Sequence, residues 1–323
     1  MRILGATIMQ AIRFHQFGKP LEVLRLEDLD PPPLKDGEVR LKILAAPVNP
    51  ADLNLIEGTY GVKPPLPTVP GIEGCGEVVE SASPNFVPGD RAIILRRAGS
   101  WASHVQVEAE HLFKLPAGID PLQAAMLKVN PATAWRLLTG FGTPEKGSWI
   151  AQNAANSAVG RCVIGLAQQL GLRTINLVRR EELIDELSAL GADVVALDDD
   201  AAVEAHKDKR AALAFNCVGG ESALRLMNLL APGGTHVTYG AMARRPLTVP
   251  NGLLIFKNLN LRGLWITKWI EGAPRKEIEE VYGRLASSGL SMPVDRTFPL
   301  RDYAAAIDAL AAPGRNGKVV LVP

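Results

Sequence analysis

At residues 148–180 the chain has the sequence SWIAQNAANSAVGRCVIGLAQQLGLRTINLVRR. Residues 148–152 have the short apolar composition of a buried parallel strand, and residues 153–160 form a turn of small side chains. Apolar residues then recur at spacings of three and four as far as Gly171, which predicts a helix that ends there. A second apolar strand is predicted at residues 174–178. This order of strand, turn, helix and strand is typical of a dinucleotide-binding unit.

Two arginines after the second strand indicate which dinucleotide would bind. Arg179 and Arg180 follow the turn by about twenty residues, where such units place the group that contacts the adenosine ribose. An acid there favours NAD, whereas guanidinium groups suit the 2′-phosphate of NADP. The turn keeps only Gly160 of the usual G-x-G-x-x-G, so alanine and serine must let backbone N–H groups approach a pyrophosphate. The sequence predicts an NADPH site; the alternative is a plain βαβ unit with solvated arginines.

The composition indicates a globular protein with two domains. The chain has 323 residues, above the ~250–300 at which single cores usually divide. Apolar residues make up 47% and charged residues 21%, and the formal net charge is +1. So small a net charge gives no general attraction for nucleic acid or for an anionic membrane, and neither is expected as a partner.

The cysteines and the N-terminus predict a cytoplasmic location, in a bacterial or cytosolic protein. Cys75, Cys162 and Cys217 are few, odd in number and widely separated, which favours a reducing compartment over a disulfide framework. The chain has no apolar run of ~18 residues, and its N-terminus lacks the charged and apolar regions of a signal peptide. Residues 1–10 are interpreted as a short extension with no assigned role.

Two kinds of periodicity divide the chain and predict an α/β fold. Residues 11–116 contain short alternating strands separated by glycine and proline, which indicates an antiparallel β barrel or sandwich. From Pro121 onward helices alternate with six apolar strands, as in a doubly wound Rossmann sheet with ligands at the carboxyl ends of its strands. The prediction is a β-rich catalytic domain at residues 1–125 and 290–323, and a Rossmann NADPH-binding domain at residues 126–289.

The distribution of candidate ligands predicts that no metal takes part. A zinc site needs thiolates and imidazoles at ligand spacing. The three cysteines are isolated, and the five histidines show no such spacing, so each histidine is interpreted as a surface residue or a hydrogen-bonded core residue. In the segment PGIEG, residues 70–74, Ile72 stands where zinc alcohol dehydrogenases of this layout carry a ligand histidine.

Without a metal, hydride transfer favours an acceptor that is already activated, such as a C=C bond conjugated to a carbonyl. Its reduction needs a donor for the developing oxyanion and an acid for the neighbouring carbon, and a neutral tyrosine can donate at pH 7. Tyr282 and Tyr303 lie in predicted helices of the tail, and Tyr239 ends a strand that could line the cofactor. Tyr60, in the loop GTYG, is the catalytic candidate; a surface turn residue is the alternative.

Six segments of the chain resemble the 2-enoyl thioester reductases of the zinc-free medium-chain dehydrogenase/reductase superfamily, which are mitochondrial trans-2-enoyl-CoA/ACP reductases and bacterial relatives. They are NPADLN (residues 49–54), GTYG (58–61), VNPATA (129–134), QNAANSAVG (152–160), THVTYGAM (235–242) and LRGLW (261–265). The resemblance covers nearly the whole chain from Ala11 onward. It implies a GroES-like β-rich domain, NADPH-dependent reduction of trans-2-enoyl thioesters of CoA or acyl carrier protein, and a homodimer.

The same resemblance implies roles for single residues. Tyr60 matches the catalytic tyrosine, Trp265 would form a wall of the acyl pocket, and Asn54 would line the substrate pocket. The residues that would contact NADPH are Asn130, Asn156, Ser157, Ala158, Val159, Arg179, Arg180, Tyr239, Gly240, Ala241, Met242, Leu264, Ile266 and Lys318. The family often has V-R-D-R where residues 178–181 are VRRE, so the second positive charge is shifted in this chain.

Two other functions stay open at this point. A quinone or simple enone reductase on the same scaffold would need neither a thioester pocket nor contacts to the phosphates of CoA. Those phosphates could meet the basic pairs at residues 96–97 or 244–245, although a solvated surface explains such pairs as well. A protein that binds NADPH without chemistry is the remaining alternative.

Overall fold

The computed structural model describes residues 8–323, which form two compact units. The first unit consists of the described residues up to Val129 together with Ile270–Pro323, and the second unit is Asn130–Trp269. The strands are β1 (Met9–Phe14), β2 (Leu24–Leu29), β3 (Glu38–Pro47), β4 (Cys75–Ser81), β5 (Arg91–Ile94), β6 (His104–Glu108), β7 (Leu112–Lys114), β8 (Trp149–Gln152), β9 (Arg173–Val178), β10 (Val194–Leu197), β11 (Ala211–Asn216), β12 (Leu230–Thr238), β13 (Asn260–Gly263), β14 (Val294–Phe298) and β15 (Lys318–Leu321).

The helices are distributed over both units. They are α1 (Pro20–Val23), α2 (Pro50–Glu57), α3 (Pro121–Ala125), α4 (Asn130–Thr139), α5 (Ala158–Leu170), α6 (Leu183–Ala189), α7 (Asp200–His206), α8 (Gly220–Leu229), α9 (Asn251–Lys257), α10 (Ile266–Gly272), α11 (Arg275–Ala286) and α12 (Tyr303–Ala311). Within the described residues, no helix combines the length and apolar character needed to cross a bilayer. Of the predicted N-terminal extension, residues 1–7 lie outside the described part.

The second unit is a doubly wound parallel sheet, as predicted. Its strand order is β10-β9-β8-β11-β12-β13, and every pair is parallel. The chain therefore starts at β8, builds outward to β10 on one side and then returns to build β11 to β13 on the other. The direction reverses between β8 and β11, and such a switch point is where open parallel sheets bind ligands.

Local sequence explains the first βαβ unit of this sheet. Ile150, Ala151, Ile175 and Leu177 are fully buried, because helices cover both faces of a parallel sheet. Helix α5 ends at Gly171, which adopts φ 71° and donates its backbone N–H to the last turn. These elements agree with the pattern of residues 148–178.

The first unit contains a sheet in the order β14-β15-β3-β4-β5-β7, with β6 also paired to β3, and a separate β1-β2 ribbon. Most of its pairs are antiparallel, as predicted, but β14 and β15 are parallel. The exception arises because α12 connects these two strands, and a crossover helix returns the chain in the same direction. Phe14 and Trp101 are fully buried in the core of this unit.

The units divide at a different point from the domain boundary drawn from the sequence. Helix α11 falls within residues 126–289, which are assigned there to the Rossmann domain, but it packs with the first unit. Tyr282 of α11 is fully buried, with its ring centroid 5.9 Å from that of Phe113. Arg275 donates to the carbonyls of Glu110 and Leu112 at 2.7 and 3.0 Å. An amphipathic period identifies the buried face of a helix but not the sheet that covers it.

Candidate functional site

The turn between β8 and α5 brings backbone atoms very close together. A Cβ on Gly160 would lie 2.4 Å from the carbonyl oxygen of Ala155, so only glycine fits there. Ala154 adopts φ 45°, in the left-handed region that side chains other than glycine rarely occupy. Ser157 caps the helix, since its hydroxyl accepts from the backbone N–H of Gly160 at 3.1 Å. The turn therefore places the N-terminus of a 13-residue helix at the switch point.

Two buried asparagines hold this turn against the neighbouring one, and the sequence prediction lacks both. Asn153 Nδ2 donates to Asn216 Oδ1 and to Ser222 Oγ, each at 2.8 Å. Asn153 Oδ1 accepts from the backbone N–H of Cys217 at 2.9 Å, and Asn216 Oδ1 accepts from that of Gly219 at 3.0 Å. The turns after β8 and β11 are thus joined across the switch point. The sequence signal for this contact is an asparagine at the end of each of the two apolar strands, β8 and β11.

The basic pair follows β9, at the same edge of the sheet. Arg179 is exposed, whereas Arg180 is half-buried and forms an ion pair with Glu182 at 3.3 Å. The two guanidinium groups are therefore not equivalent, because one already has an acidic partner.

The segments after β12 and β13 also lie at this edge. Tyr239 and Met242 donate their backbone N–H groups to the carbonyls of Asn216 and Cys217, both at 2.9 Å. Leu264 donates its backbone N–H to the carbonyl of Thr238 at 3.0 Å. The sheet thus brings the predicted contacts at residues 156–159, 179–180, 239–242 and 264–266 to the carboxyl ends of its strands.

Two buried donors at predicted cofactor contacts reach no hydrogen-bond partner among the described residues. One is the Nδ2 of Asn130, the first residue of α4, which is 7% exposed. The other is the hydroxyl of Tyr239, which lies beside Cys217 and Ser157. Burial raises the pKa of Tyr239 well above its usual value, so the phenol stays neutral. Buried donors without partners are rare in proteins and are typical of ligand sites.

The first unit carries Tyr60 in the loop that follows α2. Gly58 ends this helix with φ 74°, and the backbone N–H groups of Thr59 and Tyr60 both donate to the carbonyl of Asn54, at 2.9 and 3.1 Å. Tyr60 is half-buried. The structure therefore brings Tyr60 and Asn54 together. Trp265 belongs to the second unit, where it is half-buried and has the ammonium group of Lys268 5.4 Å from its ring centroid.

A group of buried charged residues occupies the first unit, and only Lys318 among them was predicted to be functional. Asp52 and Glu73 are fully buried, and Lys128 and Lys318 are 3% and 7% exposed. Asn49 links them: its Nδ2 donates to Glu73 Oε1 at 2.9 Å, and its Oδ1 accepts from Lys318 Nζ. These five residues are called the buried cluster below. The role of Lys318 as a cofactor contact stays a prediction.

Burial shifts the pKa values of three members of this cluster toward the neutral forms. It raises the pKa of Asp52 to about 7, although the backbone N–H groups of Asn49 and Ile72 donate to its carboxylate. It also raises the pKa of Glu73 and lowers that of Lys128 to about 8. A lysine inside the apolar run of residues 126–129 was a signal in the sequence that a charge is buried.

The described residues contain one group of side chains close enough to share a metal ion, formed by Glu108, Glu110 and His111. The two glutamates are exposed, and the ring of His111 contacts Arg96 at 2.8 Å, a cation that would oppose a metal. All three cysteines are buried. Burial raises the pKa of Cys75 to about 12 and that of Cys217 to about 11, so both thiols stay protonated at neutral pH.

Two family models match the two parts of the chain. The model described as an alcohol dehydrogenase GroES-like domain matches residues 35–117, and the model described as a zinc-binding dehydrogenase matches residues 158–287. These matches agree with the predicted fold class, a GroES-like β-rich domain and a Rossmann domain.

Comparisons with individual proteins identify the family more closely than the two family models do. The chain is 39% identical to the mitochondrial enoyl-[acyl-carrier-protein] reductase of Xenopus tropicalis, over 99% of this chain and 97% of that protein. A Bacillus thuringiensis protein described as an NADPH:quinone reductase matches with a TM-score of 0.90 and 29% identity, over 98% of this chain and all of the other. The mitochondrial 2-enoyl thioester reductase Etr1p/Etr2p heterodimer of Candida tropicalis matches with a TM-score of 0.89 and 26% identity, over 98% of this chain and all of the other. A structure of Etr1p in complex with NADP and crotonyl-CoA matches with the same TM-score, identity and coverage.

The predicted cytoplasmic location is wrong by this comparison. The enzymes of Xenopus tropicalis and Candida tropicalis are both mitochondrial by name, and so is the curated enzyme of Arabidopsis thaliana. A small number of cysteines indicates a reducing compartment, and it does not distinguish the cytoplasm from other such compartments.

The matches over nearly the full length of the chain agree with the two-unit architecture. The chain is therefore an oxidoreductase that belongs to the medium-chain dehydrogenase/reductase superfamily, in the family of the enoyl-[acyl-carrier-protein] reductases.

Proposed function

We propose that this oxidoreductase uses NADPH to reduce the C=C bond of trans-2-enoyl thioesters carried by CoA or acyl carrier protein, and that it needs no zinc. The observation that carries the proposal is the 39% identity, over 99% of the chain, to an enzyme named an enoyl-[acyl-carrier-protein] reductase. The arrangement of residues in each unit supports the assignment of roles.

The second unit fits NADPH on three observations. Gly160 leaves room for the backbone to approach a pyrophosphate, Asn130 and Tyr239 offer buried donors, and Arg179 and Arg180 suit the 2′-phosphate. NADPH, when bound, supplies the hydride that the β carbon of the substrate accepts. The residues proposed to hold it are Asn130, Asn156, Ser157, Ala158, Val159, Arg179, Arg180, Tyr239, Gly240, Ala241, Met242, Leu264, Ile266 and Lys318.

Tyr60 is proposed to act on the substrate. Reduction at the β carbon moves negative charge onto the thioester oxygen, and a proton must reach the α carbon. The Tyr60 hydroxyl would stabilise that oxygen by a hydrogen bond or deliver the proton. Two backbone hydrogen bonds to the carbonyl of Asn54 fix the loop that carries it. Asn54 and Trp265 are proposed to line the acyl pocket.

The proposal that zinc is not needed rests on the chemistry of the ligand groups, although one matching family model is described as zinc-binding. Cys75 and Cys217 are buried, and their raised pKa values oppose the thiolate form that zinc requires. The apolar Ile72 stands where a ligand histidine is expected, and its backbone N–H donates to Asp52 at 2.9 Å.

A homodimer is proposed as the assembled form. Strand β13 is at the edge of the parallel sheet, and the neighbouring helix α9 exposes Ile255 and Phe256 at 68% and 84%. Exposed apolar side chains beside an unpaired strand edge are characteristic of an interaction surface. The heterodimer formed by Etr1p and Etr2p supports an assembly of two chains.

A quinone or enone reductase is the second candidate, and the TM-score of 0.90 to a protein described as an NADPH:quinone reductase favours it. The two functions differ in the acceptor. A quinone takes up two electrons without the need for a proton donor next to a thioester, so Tyr60 would be dispensable.

Replacement of Tyr60 by phenylalanine tests the proposal. With crotonyl-CoA and NADPH, Tyr60→Phe should lower kcat by about 10²–10³-fold with a much smaller change in KM, because the hydroxyl acts in the transition state. Tyr303→Phe is the matched control: it also removes one hydroxyl of the first unit, which donates to the carbonyl of Leu24 at 3.0 Å, and should leave kcat unchanged. Equal kcat for the Tyr60 variant and the wild type would remove Tyr60 from the mechanism.

A further inference from the structure

The buried cluster brings two acids and two lysines together inside the first unit. An unpaired charge in such surroundings is strongly destabilising, so each member depends on the others. The proposed chemistry uses only Lys318 among them. The contacts that Glu73 and Lys128 make with the backbone indicate the role of these two charged residues.

Glu73 and Lys128 both act on one short stretch of backbone. Glu73 Oε2 accepts from the backbone N–H of Val129 at 2.9 Å, and Lys128 Nζ donates to the carbonyl of Ile72. The hydroxyl of Tyr282 donates to the carbonyl of Lys128 at 3.0 Å. Hydrogen bonds therefore fix residues 128 and 129 at three points: the Lys128 side chain, the Lys128 carbonyl and the Val129 backbone N–H.

These held residues come directly before Asn130, which begins α4 and the second unit. Consecutive Cα atoms are ~3.8 Å apart, so a change in the backbone of Val129 moves Asn130 with it. The Nδ2 of Asn130 is buried and reaches no partner within residues 8–323. Because no hydrogen bond within that range orients this Nδ2 group, the adjoining backbone sets its position before a ligand binds.

We propose that Glu73 and Lys128 are positioning residues for Asn130: they fix the backbone of Val129 so that the Asn130 amide meets the bound dinucleotide. This inference rests on the proposed function only in that NADPH is the ligand of Asn130. Loss of one well-placed hydrogen bond to the cofactor is enough to raise its Kd by about tenfold. The cluster therefore affects cofactor binding without touching the cofactor.

Glu73→Gln tests the inference by direct titration of NADPH fluorescence. The glutamine has nearly the same shape but only one acceptor end, so it cannot accept from both Asn49 and Val129. The Kd for NADPH should rise at least about tenfold, with a matching rise in the KM for NADPH and less than about a twofold change in the KM for crotonyl-CoA. Glu77→Gln changes a half-buried glutamate on β4 that lies outside the buried cluster; it is the matched control and should leave all three constants unchanged.

The double variant Glu73→Gln/Lys128→Met separates positioning from stability. It removes one charge of each sign, so it avoids the uncompensated charge left by the single change and should fold even where Glu73→Gln does not. Its Kd for NADPH should stay raised at least about tenfold. A Kd within twofold of the wild type in either folded variant overturns this inference alone. Absence of NADPH binding by the wild type overturns the proposed function and this inference together.

Discussion

Replacement of Gly160 by alanine should damage the dinucleotide site more than any other addition of a single methyl group there. The new Cβ would lie 2.4 Å from the carbonyl oxygen of Ala155 and 2.7 Å from its Cα, whereas ordinary contacts begin near 3.4 Å. Relief of this overlap needs a shift of about 1 Å. The atoms belong to the backbone, so no side-chain rotation provides the shift.

The turn has little freedom to retreat. Ala155 is fully buried and donates its backbone N–H to the carbonyl of Leu177 at 3.2 Å. The N-terminus of α5 must therefore move away from the turn. Overpacking of this kind costs about 1–3 kcal/mol. Where the NADPH-bound conformation bears that cost, the Kd for NADPH rises by ~10–100-fold, because about 1.4 kcal/mol corresponds to a tenfold change.

Fluorescence titration with NADPH and thermal unfolding followed by circular dichroism measure these two effects. Gly283→Ala is the matched control, because Gly283 lies inside α11 and a Cβ there meets no atom within 4 Å. That change should raise the stability by up to about 1 kcal/mol through helix propensity and leave the Kd unchanged. A Gly160→Ala variant that binds NADPH within twofold of the wild type would show that the close approach of residues 155 and 160 does not control cofactor binding.

Two further predictions follow from single side chains. His236 is fully buried with no partner for either ring nitrogen among the described residues, and burial lowers its pKa to about 4, from 6.5. The folded protein therefore binds a proton on His236 more weakly than the unfolded chain does, so the free energy of unfolding falls by about 3 kcal/mol as the pH decreases from 6.5 to 4. In urea unfolding measured against pH, His236→Leu should make the unfolding midpoint less dependent on pH. An unchanged pH dependence would exclude His236 as its cause. Glu182→Gln should release Arg180 for the 2′-phosphate and lower the Kd for NADPH by about 2–5-fold, as expected for a partly exposed pair, without an effect on NADH. Glu181→Gln, which is exposed and forms no ion pair with Arg180 at 4 Å or less, is its control, and an equal gain there would show a general charge effect.

Local patterns predicted the elements that depend on neighbours in the chain. The strand predicted at residues 148–152 and the glycine end of α5 depend on short stretches of sequence, and the structure has the strand at Trp149–Gln152 and Gly171 at the end of the helix. Parallel pairing of the sheet followed from the alternation of strands and helices.

Features that depend on distant residues were not predictable in the same way. The buried cluster joins Asn49 to Lys318, which are 269 positions apart in the sequence, and no local pattern relates them. Helix α11 has a buried face, but the sequence does not state which unit covers it. His236 was interpreted as a surface or hydrogen-bonded residue, but the structure buries it in β12 without a partner among the described residues. Its register partners on the adjacent strands are Ala214 and Leu261, whose side chains offer no acceptor.

A steady-state comparison of acceptors tests the proposed function most directly. The purified protein would be assayed with NADPH and with NADH against crotonyl-CoA, a long-chain trans-2-enoyl-CoA and a quinone. An NADPH-dependent enoyl thioester reductase should turn over an enoyl-CoA with a higher kcat/KM than the quinone, and should have a higher kcat/KM with NADPH than with NADH. Turnover of the quinone alone, or no oxidation of NADPH by either enoyl-CoA, would contradict the proposed function.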